Sequence, residues 1–155
     1  MKFESLPQGV RLAVEAAQEK KAAGITVLDL TAAGAFTDYF VVCTGFSTPQ
    51  VQAICTEVEE QLYKQLGRWP EHREGQRSAE WALLDFGGFV VHVFGEQARR
   101  YYDLERLWRL APKLEIPDDA ETRSSDRTMS DSTLSQELLD DEAVSGRTLG
   151  GRSQR

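Results

Sequence analysis

From Leu6 onward the apolar residues Leu6, Val10, Ala13, Val14 and Ala17 recur at helical spacing, and Ser5 with Gln8 has the form of a capping box. A first helix is therefore predicted over about residues 6–23. Gly24 reads as its stop, and ITVLDL, from Ile25 to Leu30, as a short β-branched strand. Tyr39 to Thr44 is apolar almost throughout, the pattern of a central strand covered on both faces, and Gly45 ends it. Ser47, Thr48 and Pro49 then mark a helix start, a hydroxyl cap with proline in the first turn. Behind them Val51, Ile54, Cys55, Val58, Leu62 and Leu66 form one stripe, so this helix must lie on a sheet. A strand, a long helix and further strands predict a βαβ-type crossover. Gly67 to Ser78 is polar, with Pro70 and Gly75, and holds at most one short edge strand.

WALLDFGGFVVHVF reads as two six-residue strands joined by Gly87-Gly88, where glycine at both positions permits the positive φ angles of a type I′ hairpin. That register sets Phe86 against Phe89, Leu84 against Val91 and Ala82 against Val93, one apolar face for the helices to cover. The other face carries Trp81, Leu83, Asp85, Val90, His92 and Phe94, and it too is largely apolar. It must meet something, a further element of the same chain or a partner. A third helix is predicted from Glu96, with Tyr101, Leu104 and Trp108 on one face and fraying by Pro112. The fold class is thus α/β, a mixed sheet of about five strands with helices packed on it. From Pro117 the composition turns to Ser, Thr, Asp and Arg, the profile of a disordered tail, interrupted only by the helical-turn pattern of SQELLDDEAV. The domain assignment is 1–116 for the folded part and 117–155 for the acidic tail.

Charge narrows the partners. Of 18 Lys+Arg, 13 lie up to Ile116 against 16 Asp+Glu, and beyond it 5 stand against 9, so both parts are acidic. A grip on nucleic-acid phosphates needs a basic surface, whereas a basic protein partner suits this charge through electrostatic steering. No stretch approaches the roughly 20 apolar residues of a membrane span, and MKFESLPQGV lacks a signal-peptide core, so a cytoplasmic location is expected. Cys43 and Cys55 sit in apolar surroundings and are expected to be buried reduced thiols. His72 and His92 are far apart in sequence and offer no metal site, and no cofactor is expected.

Gly45-Phe46-Ser47, a strand end before a long helix, is similar to the phosphate-binding turn of the nucleotidyltransferase fold. Those enzymes need two carboxylates two apart on a strand so that both face one metal pair, and Asp-x-Asp does not occur here. Glu57 and Glu59 have that spacing but lie in the predicted helix, where they diverge. Ser47 reads as a helix cap, Asp38 as a loop residue, and His92, between two valines, as a structural member of a sheet face. No Walker or dinucleotide glycine loop is present.

VLDLTAAGAFTDYFVVCTG and WALLDFGGFVVHVFGEQARRYYDLERLW resemble the two signature blocks of the ribosomal silencing factors, the Iojap family, over about Leu6 to Leu110. The resemblance implies a nucleotidyltransferase-like fold without the active site. It implies a non-enzymatic protein that binds large-subunit ribosomal protein fourteen, blocks the joining of the two ribosomal subunits and represses translation, and that is often a homodimer when free. The alternative is a vestigial nucleotidyltransferase-like protein that binds a nucleotide. Two positions depart from the family pattern: Pro49 stands where arginine is common, and Gly88 where aspartate is common.

The expected partner-binding residues are Trp81, Leu83, His92, Phe94, Tyr101 and Tyr102, with Arg99 and Arg100 at the rim, because aromatic and arginine side chains concentrate interface energy. On this reading Trp81→Ala combined with Phe94→Ala weakens ribosome binding by several kcal/mol, at about 2 kcal/mol or more per buried aromatic anchor. Unchanged co-sedimentation with the large subunit, in a variant still folded by circular dichroism, would contradict it.

Overall fold

The computed structural model describes residues 1–78 and 80–118, so most of the predicted tail lies outside the described residues. The chain runs α1 (Gln8–Glu19), β1 (Ala23–Asp29), β2 (Tyr39–Gly45), α2 (Thr48–Leu66), β3 (His72–Glu74), β4 (Trp81–Asp85), β5 (Phe89–Gly95), α3 (Glu96–Tyr102), α4 (Leu104–Leu107) and β6 (Lys113–Glu115). The strands form one mixed sheet of six in the order β3-β4-β5-β2-β1-β6. Only β2 and β5 run parallel, in register from Tyr39 opposite Phe89 to Gly45 opposite Gly95, and α2 supplies the crossover expected between them.

β2 is central, and Phe40, Val41, Val42 and Cys43 are all buried. α1 and α2 cover one face, where Val10, Ala13, Val14, Val51, Ile54, Val58 and Leu62 meet Val41, Leu84, Phe86, Val91 and Val93 in the larger core. Both cysteines are free and buried there, and burial first of all pushes each thiol up to about 12. They behave as small apolar residues.

The start of α2 follows its sequence signal: the Ser47 hydroxyl accepts from the Gln50 N–H, and Pro49 lies in the first turn. The start and end of α1 do not. Ser5 lies in a short 3₁₀ turn and the N-cap is Pro7, with no side-chain cap, so the capping box does not form. The helix ends at Glu19 in a Schellman pattern, Ala22 N–H to Ala17 carbonyl and Lys21 N–H to Gln18 carbonyl, with Lys21 itself at φ 63°. Gln50 makes this end affordable by donating to the Lys20 and Lys21 carbonyls while its Oε1 accepts from the Phe46 N–H. Gly24 is not a helix stop; at φ 58° it sits within β1 where the register with β2 slips, a bulge.

The predicted third helix is broken at Asp103, which takes φ 48° between α3 and α4, and beyond it β6 adds an unpredicted sixth strand against β1. Ile116 N–H still bonds Ile25, and the Asp118 carboxylate accepts from Gly24 N–H, so Pro117 and Asp118 remain with the folded unit.

The hairpin has the predicted pairing, Leu84 opposite Val91 and Ala82 opposite Val93, closed by Phe86 N–H to Phe89 carbonyl at 2.9 Å. Its turn differs. Gly87 takes φ 90° while Gly88 stays outside the left-handed region, the sign pattern of type II′ rather than I′. Gly87→Ala should therefore cost on the order of 1–2 kcal/mol, since a Cβ would also meet Glu71 Oε2 at 2.8 Å. Gly88→Asp, with open space around it, should leave stability within about 0.5 kcal/mol. Chemical denaturation of the two variants checks the difference, and equal losses would refute the turn assignment.

Candidate docking surface

The second face of the sheet is largely apolar because most alternate residues of the central strands are, with Thr26, Thr44 and His92 the buried polar members among the described residues. Register places Leu83, His92 and Val42 in one row across the sheet, Trp81 and Phe94 in the next, and Asp85, Val90, Phe40 and Leu28 on the other side. Among the described residues no long helix crosses this face. Leu28, Leu30, Phe40, Val42, Val90 and Phe94 are instead buried under Ala98 and Leu104, with Ala35, Trp108 and Ala111 packed against them. Trp108 meets Phe40 edge-on at 6.0 Å. This cover reaches Phe94 but leaves the β4 side only half covered, with Trp81 and Leu83 partly buried.

The short cover is held by one guanidinium. Arg99 donates from Nε and Nη2 to the two Glu105 oxygens at 3.2 and 2.5 Å, from Nη1 to Thr44 Oγ1 at 2.9 Å, and from Nη2 to the Gly24 carbonyl at 2.9 Å. It thus bridges the break at Asp103 and ties α3 to both β1 and β2. Burial pushes the Glu105 carboxyl up, but the hydrogen bonds and charge of Arg99 outweigh it and hold the group below the usual carboxylate range.

Placement divides the eight residues expected at a partner. Tyr101 is 81 % exposed and Tyr102 45 %, and Arg100 is exposed beside Glu96 at 3.9 Å. Trp81 and Leu83 are half-buried at the open side, with the Trp81 ring 4.7 Å from Tyr102 and 4.8 Å from Phe94. Phe94 at 0 % and His92 at 4 % exposure are core, not surface, because α3 and α4 fold back over them. Arg99 is a structural clamp rather than a rim cation, since its donors are occupied inside the chain. The substitution of Phe94 would therefore test the core. Sequence reasoning missed Phe36, 76 % exposed in the loop after β1, although an isolated phenylalanine among Ala, Gly and Thr was a visible signal.

An open cleft of about 910 Å³ adjoins this surface at the carboxyl ends of β2 and β5, between Phe46, Glu80, Glu96, Tyr101 and Tyr102. That is where a doubly wound sheet would hold a phosphate. Here, however, Phe46 N–H is bonded to Gln50 Oε1, Gln50 N–H to Ser47 Oγ and Gly95 N–H to the Glu80 carbonyl, and two carboxylates line the walls. With Arg100 beside Glu80 and Glu96 in the lining, an anion would meet a net negative charge. Glu57 and Glu59 diverge as expected, Glu57 to Gln61 and Glu59 to Arg73.

Comparison with known proteins agrees with the resemblance and extends it. Residues 4–139 match the profile of the family described as ribosomal silencing factor during starvation, so the match runs well past Leu110. The ribosomal silencing factor RsfS of Halalkalibacterium halodurans is 40% identical over 107 residues, covering 69% of this chain and 91% of that protein. The chloroplastic protein Iojap of Zea mays is 36% identical over 118 residues, 76% of this chain and 50% of that protein. A crystal structure from Chromobacterium violaceum superposes with a TM-score of 0.62 at 36% identity, covering 70% of this chain and 87% of that one.

Burial lowers the His92 pKa to about 4, from 6.5. Because the folded state resists the proton that the unfolded chain accepts, this contribution to stability is complete above pH 6.5 and is lost as pH falls toward 4, by roughly 3 kcal/mol. Urea melts across that window should show the loss for the wild type and a smaller one for His92→Leu. Parallel pH profiles would mean that His92 is not held neutral by the fold.

Proposed function

This chain belongs to the family of ribosomal silencing factors, and on that premise we propose that it acts without catalysis, by docking on large-subunit ribosomal protein fourteen and standing in the way of the small subunit. The observation that supports this reading is the half-covered apolar sheet face, where Trp81 and Leu83 continue into exposed Tyr102 and Tyr101. Its surroundings carry Glu74, paired in register with Leu83, and Glu80 and Glu96 beside a single Arg100 in the adjoining cleft, a net negative charge. Acidic groups around aromatic anchors suit a basic ribosomal protein, since complementary charge speeds encounter and excludes phosphate-rich competitors. Obstruction requires only residence of a body of this size, so no turnover is involved and no cofactor is needed.

No helix among the described residues is long and apolar enough to cross a membrane. In this reading the protein acts in the cytoplasm, where it meets ribosomal subunits. When free, the chain is a homodimer in this reading, its unsatisfied apolar face being the surface with most to gain from a second copy.

Trp81→Ala with Tyr102→Ala should weaken binding to purified large subunits, read by co-sedimentation, by roughly 1000-fold, two aromatic anchors at roughly 2 kcal/mol each. Full binding by a folded double variant would remove this face from the account. Failure of the wild type to bind large subunits would remove the function.

A further inference from the structure

His92 has no place in a ledger of simple packing. It lies mid-strand in β5, 4 % exposed, between Val42 and Leu83 in register and beside Phe40 at 4.4 Å and Phe94 at 6.3 Å between ring centroids. An aliphatic side chain would suit that position. The imidazole instead leaves Nε2 buried without a hydrogen-bond partner among the described residues. A buried unpaired donor or acceptor costs on the order of 1–3 kcal/mol. What the ring does make, among the described residues, is one hydrogen bond: the Trp81 indole Nε1–H donates to His92 Nδ1 at 3.0 Å. Indole is a donor only, so Nδ1 must be unprotonated and the ring proton sits on the unpaired Nε2.

We propose that His92 is the positioning residue of the docking face: its Nδ1 holds the indole N–H of Trp81 inward, so that the half-exposed ring offers a partner its apolar edge and π face instead of its donor. This rests on the reading of the previous subsection. Phe94 and Tyr102 flank the indole at 4.8 and 4.7 Å with rings tilted by 31° and 47°, contacts that are not directional toward its N–H. The bond to Nδ1 is directional, and it sets which edge of the indole points inward. The consequence for recognition is specific. With its N–H engaged inside the chain, Trp81 selects aliphatic or cationic partner groups, which an indole face attracts, over hydrogen-bond acceptors.

The test separates orientation from stability. His92→Leu removes both the acceptor and the unpaired nitrogen, whereas His92→Asn keeps an acceptor near the place of Nδ1. Each is read by the Trp81 indole N–H resonance, assigned among the three tryptophans with Trp81→Phe, and by titration against purified large subunits. In His92→Leu the resonance should move to the solvent-exposed position and exchange rapidly, the melting temperature at neutral pH should not fall, and binding should weaken about tenfold, one hydrogen bond's worth of orientation. His92→Asn should keep a protected indole N–H and bind within about threefold of the wild type despite a lower melting temperature. Binding that follows the melting temperatures, or a His92→Leu variant that binds normally with its indole released, would overturn the assignment. If the wild type binds no large subunits, the functional reading falls, and the resonance alone still decides whether His92 holds the indole.

Discussion

Both faces of this sheet are largely apolar, and among the described residues only one has enough helix to cover it. That imbalance governs the rest of the structure. α1 and the 19-residue α2 close the first face completely, while the second must make do with α3, α4 and the turn that carries Trp108. Strands with alternate residues such as Leu28, Phe40, Val42, Val90 and Phe94 cannot leave them in water, because each such side chain gains roughly 1.5–3 kcal/mol on burial. The short C-terminal cover is therefore drawn across β1, β2 and β5, and β4 is left at its edge. Arg99 fixes where the cover ends, and the uncovered remainder is the aromatic surface around Trp81.

The same arrangement shapes the cleft at the carboxyl ends of β2 and β5. There the Phe46 N–H is bonded to Gln50, the Gln50 N–H to Ser47 and the Gly95 N–H to the Glu80 carbonyl. Gln50 in particular turns the start of α2 into a joint with the end of α1. What this side of the molecule offers a partner is shape, aromatic area and negative charge.

Much of this was legible before the structure. The stripe of α2, the cap at Ser47, the crossover and the hairpin register all follow from periods of 3.6 and 2 together with local punctuation, and each is where the spacing put it. The misses share a cause: they depend on tertiary partners. Lys21 accepts a left-handed conformation because Gln50 binds the carbonyls beside it, and Asp103 because Arg99 and Glu105 bridge it. β6 is a three-residue strand that exists only because β1 offers an edge. Exposure of the second face was misjudged for the same reason. Alternation showed that His92 and Phe94 point away from α1 and α2, but only the fold shows that a broken helix returns to cover them and not Trp81.

Obstruction is the central claim, and it is measured by light scattering as purified small subunits are mixed with large subunits preloaded with the full chain. The account predicts that formation of joined ribosomes falls in proportion to the fraction of large subunits occupied and recovers when the chain is competed away. Normal joining by large subunits saturated with the chain would contradict it.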